Sequence, residues 1–212
     1  ALPYLLAYVP AFLAIFGAYM GGLWTLFPLV FVFGIVPILD LIVGIDDWNP
    51  TKEQEKEMDK RLSFRIITWI WFPIQLALII FGAYFVSTRS LTIIEWIGII
   101  TSFGLQGGAG INTAHELIHK PNQMEQTLGK LTLITVCYGH FFIEHIWGHH
   151  KKVSTMDDPA TSRYGEHFYS FWVRCVRDSF IDAWNIEKNR LTQEKLPVFS
   201  IHNQMLHFVF GS

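Results

Sequence analysis

From Ala1 to Ile45 the chain carries a single charged residue, Asp40. A helix crosses a hydrocarbon core of roughly 30 Å in about 20 residues, so this one stretch is long enough for two crossings. Charge returns between Asp46 and Arg65, thins again to Arg89 and Glu95, and becomes dense after His115. Apolar and polar blocks thus alternate. In lipid every backbone polar group has to be satisfied within its own segment, which leaves helices as the spanning form for such blocks. The expected fold is an all-α, polytopic transmembrane protein with spans at Tyr4 to Gly22, Leu23 to Ile45, Ile66 to Val86 and Leu91 to Ile111. The Gly21-Gly22 pair should turn the first two into a tight hairpin. A cleaved signal peptide is the rival reading of the first stretch, which shows no basic leader and no small-x-small cleavage site, so a span is the expectation.

Composition agrees, with 51% hydrophobic and 16% charged residues, too apolar for an ordinary soluble domain. A net charge of -2 gives no basic face to replace counterions, which excludes nucleic acid as a partner. Cys137 and Cys175 form no CxxC motif and read as buried, reduced thiols. The loop between the second and third spans carries Lys52, Lys56, Lys60, Arg61 and Arg65, whereas the next carries only Arg89. The positive-inside rule puts the first of these on the cytoplasmic side, and the fourth span then delivers Asn112 onward to that same side. The division expected is four spans over 1–111, a cytoplasmic helical cap over 112–197, and the start of a further span over 198–212. Leu131 to Phe142 is apolar but short, and is read as a helix lying on or re-entering the cytoplasmic face.

All nine histidines lie at or after His115. Five form two groups: His115 with His119, and His145 with His149 and His150. Residues four apart share a helix face, so each i, i+4 pair can converge on one ion, with His150 turned about 100° towards a neighbouring one. Such imidazole density beside membrane spans is costly without a ligand. Glu116, His140, Glu144, Asp157 and Asp158 are candidates to orient the ligating rings through their outer nitrogens. The remaining His167, His202 and His207 read as ordinary structural residues. His115-Glu116-Leu117-Ile118-His119 is also a literal HExxH, the zinc metalloprotease motif. Imidazole accepts zinc, copper, iron and nickel alike, so spacing alone leaves a di-iron enzyme, a zinc protease and a metal carrier or sensor open.

The strings Asn112-Thr-Ala-His-Glu-Leu-Ile-His-Lys120, Tyr138-Gly-His-Phe-Phe-Ile-Glu-His-Ile-Trp-Gly-His-His150 and Asp157-Asp-Pro-Ala-Thr-Ser-Arg163 resemble the integral-membrane alkane 1-monooxygenase family. Its close relative is the membrane hydroxylase of methyl groups on aromatic rings. The resemblance implies two non-haem iron ions, O2 as co-substrate, and hydroxylation of the terminal carbon of alkanes drawn from the bilayer. It also implies rubredoxin as electron donor and a multi-pass inner-membrane location with the active site facing the cytoplasm. Carried over, His115, His119, His145, His149 and His150 are iron ligands and the catalytic site. The family's later boxes, an Asn-Tyr-x-Glu-His and a His-Ser-Asp-His-His, do not occur in these 212 residues, so further ligands are expected outside this stretch. No rubredoxin-type cysteine pair, haem-attachment motif or nucleotide fingerprint is present. Electrons should therefore arrive from a separate protein or fused domain, steered by Lys151, Lys152, Arg163, Arg174 and Arg177.

Overall fold

The computed structural model describes residues 2–44 and 49–211, and the described elements are helical, with no strand among them. The chain forms two compact units, Ala1–Leu128 and Gly129–Ser212.

In the first unit a 3-10 turn, Leu2–Tyr8, leads into α1, Val9–Met20. Gly21 (φ 70°) and Gly22 (φ 54°) then reverse the chain, a conformation that glycine adopts without a Cβ penalty, and this is the hairpin expected from sequence. The next helix, α2 (Gly22–Val43), is helical throughout but irregular, starting as 3-10 and passing through a π segment at Phe31–Ile35. Pro37 lies just beyond that segment; its ring cannot donate to the ladder and crowds the preceding turn, which the wider π turn accommodates. The head of the basic loop, Asp46 and Asp47, lies outside the described residues. Thr51 and Gln54 form a capping box that starts the charged helix α3, Lys52–Lys60. Helix α4 (Leu62–Thr88) follows, then α5 (Ile93–Ile118), opened by a second capping box between Thr92 and Glu95.

Among the described residues, most of each of the four expected spans is helical. Two, Gly22–Val43 and Leu62–Thr88, are long and apolar enough to cross a membrane, and Tyr4–Met20 is a shorter apolar helix. Small residues set the packing, as is usual where helices meet in lipid. A Cβ on Gly98 of α5 would stand 1.9 Å from Thr25 Oγ1 of α2, and one on Gly17 would stand 2.3 Å from the Trp24 carbonyl oxygen. The resulting contact lets the buried Ser102 hydroxyl donate to the Thr25 carbonyl across 2.6 Å. α4 meets α5 where Gly110 abuts Gln75, whose Oε1 accepts the Trp71 indole N–H at 2.8 Å. At the turn between α1 and α2, the Gly22 amide donates to Glu95 Oε1 at 2.8 Å, tying that turn to the start of α5.

Helix α6, Gln123–Ile134, runs across the division between the units. The sequence reading of Leu131 to Phe142 as one helix is corrected here: α6 stops at Ile134, and Cys137 takes φ 55°. There the Tyr138 amide reaches back to the Leu133 carbonyl at 2.9 Å, a Schellman-type ending with cysteine where glycine is usual. A second helical segment, α7, covers 141–152 and contains a π turn at Glu144–His149. An irregular loop, 153–167, leads to α8, Phe168–Gln193. The apolar segment from Val198 becomes helical only at α9, Gln204–Phe210, where Asn203 caps it by accepting from the Met205 amide at 2.9 Å.

Candidate metal centre

The first histidine pair ends α5. Ala114, Leu117 and Ile118 are fully buried, and this anchored face fixes the rotation of the last turn. His115 and His119 consequently lie together, ring centroids 4.8 Å apart. Glu116, the general base of the HExxH reading, turns instead to Lys120, its Oε1 2.7 Å from the ammonium, which also meets Asp59 at 3.0 Å.

The second group is carried by α7, and here the structure alters the spacing argument. Because Glu144–His149 is a π turn, bonds close from i to i+5 and residues five apart are brought over one another. His150 is therefore the nearer neighbour of His145, with ring centroids 4.5 Å apart against 5.4 Å for His149. The Nε2 atoms of His145 and His150 stand 3.0 Å apart, and the Phe141 ring stacks on His145 at 4.7 Å. Phe141 escaped the sequence reading, although an aromatic residue four positions before a candidate histidine on the same helix is a visible signal.

Gly148 explains how α7 sits so close to α8. A Cβ there would lie 2.7 Å from Asp182 Oδ2 and 3.1 Å from Ile186 Cδ1. Asp182 in turn takes both of its oxygens to the Lys152 ammonium, at 2.7 and 2.9 Å. Nothing in the sequence marked Asp182 as the anchor of the histidine turn.

Of the five residues expected to orient the rings, Asp158 does so. Its Oδ2 lies 2.9 Å from His149 Nδ1 and also accepts the Thr161 hydroxyl, while Oδ1 accepts the Ala160 amide at 2.9 Å. Burial pushes this carboxyl upward, but those hydrogen bonds and the adjacent imidazole outweigh it and hold the group below its ordinary value. An ionised carboxylate accepts only, so His149 carries its proton on Nδ1 and keeps the Nε2 lone pair available. Asp157 is exposed on the loop, and Glu116 is paired with Lys120. Glu144 is buried with no hydrogen bond to Oε1, and burial is the main force raising its pKa to about 7. His140 packs between Tyr138 and Phe180. Its buried Nε2 has no partner, and burial depresses its pKa to about 4.

Three of the five cations expected to face an electron donor are engaged within the second unit, among them Arg177, whose Nε donates to Asp178 Oδ1 at 2.7 Å. Arg174 grips Glu166 with two bonds of 2.7 Å and Lys152 holds Asp182. Lys151 and Arg163 are exposed.

Long apolar helices, paired imidazoles and a carboxylate fixing one ring together define the class: a helical membrane protein with polyhistidine boxes suited to metal. The comparisons narrow this. Residues 90–210 match the family model described as fatty acid desaturase, and the chain belongs to that family. It is 37% identical over 185 residues to alkane 1-monooxygenase 1 of Alcanivorax borkumensis, a match covering 87% of this chain and 46% of the relative. It is 38% identical over 174 residues to alkane 1-monooxygenase of Pseudomonas putida, covering 82% and 43%. With alkane 1-monooxygenase of Acinetobacter baylyi the identity is 37% over 172 residues, covering 81% and 42%. The chain thus spans a little under half the length of these relatives.

Proposed function

We propose that this chain forms the histidine-rich part of a membrane non-haem di-iron monooxygenase that hydroxylates the terminal carbon of alkanes. The observation that carries the proposal is the π turn, which brings His145, His149 and His150 together while Asp158 fixes the tautomer of His149. The donor set fits a metal: facing Nε2 lone pairs 3.0 Å apart repel one another unless a proton or a cation lies between them. His115, His119, His145, His149 and His150 would each serve as an iron ligand. Ligands from outside this stretch complete the two sites.

Breaking an unactivated C–H bond lies beyond any side-chain acid, base or nucleophile, and the irons would supply the oxygen chemistry. The balance is R–H + O2 + two electrons + two protons giving R–OH + H2O. The protein's own residues hold and orient. Asp158 holds His149 through Nδ1 and so leaves Nε2 as the nitrogen that can ligate, Phe141 fixes the plane of His145, and the lipid-facing spans give an apolar substrate its route from the bilayer. The site opens to the cytoplasmic side of the inner membrane, and rubredoxin, separate or fused, brings the electrons.

The zinc-protease reading loses ground on one contact, since Glu116 is taken up by Lys120. Turnover of an n-alkane by the complete protein in lipid, with reduced rubredoxin and isotopically labelled O2, tests the proposal. A terminal alcohol carrying the label supports it. Alkane left unchanged while the site is loaded with iron rejects the substrate class.

A further inference from the structure

Arg174 lies on α8, twenty-five positions from His149 in sequence, and no histidine spacing points to it. Its guanidinium is nearly buried, with 13% of the side chain exposed. Nε and Nη2 each donate to one oxygen of Glu166 at 2.7 Å, Nη1 donates to the Pro159 carbonyl at 3.1 Å, and Nη2 also donates to the Thr161 carbonyl at 3.0 Å. Glu166 additionally accepts the Arg163 amide at 3.0 Å. The loop 153–167 is irregular, so no helical ladder fixes its path, and ordering it against chain entropy falls to contacts of this kind.

The position of the two gripped carbonyls is informative. The Pro159 carbonyl belongs to the same peptide group as the Ala160 amide, and that amide donates to Asp158 Oδ1. The Thr161 residue whose carbonyl is gripped also sends its hydroxyl to Asp158 Oδ2, and the same hydroxyl oxygen accepts the Ser154 amide at 3.0 Å. A continuous chain of bonds therefore runs from guanidinium to peptide plane to carboxylate to imidazole. A cation at one end polarises each successive bond in the same sense. Lysine cannot substitute, because a point charge has no planar fork to reach a carboxylate and two carbonyls at once.

We propose that Arg174, clamped by Glu166, is a positioning residue that sets the aim of His149 through Asp158. This rests on the reading of His149 as a metal ligand. Arg174 touches neither metal nor substrate. It fixes the peptide planes that hold the carboxylate, and the carboxylate fixes the ring. The loop is thus a rigid strut whose register is set from α8.

The test is metal affinity, measured on the complete protein in detergent by titrating ferrous iron against a competing chelator, with thermal melting followed in parallel. Arg174→Lys and Asp158→Asn are each expected to weaken binding by roughly 10- to 100-fold, the usual effect of losing an outer partner of a ligating histidine. Because both act through one ring, the double variant should be no weaker than the worse single variant. A merely structural role would lower the melting temperature and leave affinity intact, or give losses that multiply. Glu166→Gln keeps the side-chain shape and removes only the charge, so it carries the same test if Arg174→Lys does not fold. Full affinity in Arg174→Lys or in Glu166→Gln, or multiplied losses in the double variant, overturns the inference. Undiminished metal in His149→Ala is a different result, and it removes the ligand reading itself.

Discussion

Replacing Gly148 by alanine adds one methyl group where α7 crosses α8. The new Cβ would lie 2.7 Å from Asp182 Oδ2, 3.1 Å from Ile186 Cδ1 and 3.3 Å from Glu144 Oε1. An ordinary contact needs about 3.4 Å or more, so the Asp182 carboxylate has to retreat by roughly 0.7 Å while its two oxygens are held by Lys152 at 2.7 and 2.9 Å. Overpacking of this kind costs about 1–3 kcal/mol, against which alanine returns up to about 1 kcal/mol of helix propensity. The net expectation is a loss of about 1–2 kcal/mol, equivalent to a fall in melting temperature of about 2–8 °C for a chain of this size. Gly104→Ala serves as control, since its Cβ meets nothing within 4 Å, and it should be neutral or stabilising. Adding Asp182→Ala to Gly148→Ala removes the clash and should recover part of the loss relative to Asp182→Ala alone. Melting curves in one detergent decide the matter. Equal melting temperatures for Gly148→Ala and Gly104→Ala, or no recovery in the double variant, would refute the reasoning.

Further outcomes are expected. Burial depresses His140 from its ordinary 6.5 to about 4, so the unfolded chain binds the extra proton first. Its contribution of about 3 kcal/mol is present above pH 6.5 and lost as pH falls towards 4; His140→Phe should flatten that limb of a stability-against-pH curve, and an unchanged limb would contradict it. Gly98→Val places a side chain into Thr25 of α2 and should cost more than 2 kcal/mol, read as a collapse in the yield of folded protein. Lys151→Glu should slow turnover at limiting rubredoxin and weaken its dependence on salt, since steering acts on association rate. Lys152→Glu should instead lower the melting temperature, because that ammonium is engaged by Asp182.

Much of this was legible in the sequence, because the two strongest signals are composition and spacing. One charge in the first 45 residues makes helices the expected form there, and Gly21-Gly22 announced the turn. The i, i+4 spacing of His115 and His119 fixed their proximity. The second group was read with the wrong period, because a π turn carries no clear sequence signal and it moved His150, not His149, nearest to His145. Leu131 to Phe142 was read as one helix because no glycine or proline marks the break, which is made by Cys137 in a left-handed conformation. Asp158 was among the candidates, but nothing local separated it from Asp157; burial and the His149 contact do so. Arg174 was read with the other cap cations as a charge steering the electron donor, and only the fold shows it enclosed by the loop that holds Asp158.

The central claim is that these histidines hold iron. Elemental analysis of the complete purified protein, set beside His149→Ala and His145→Ala, measures it directly. The account predicts about two irons per chain in the parent protein and a clear loss in each variant. One zinc per chain, or full iron in both variants, would contradict it.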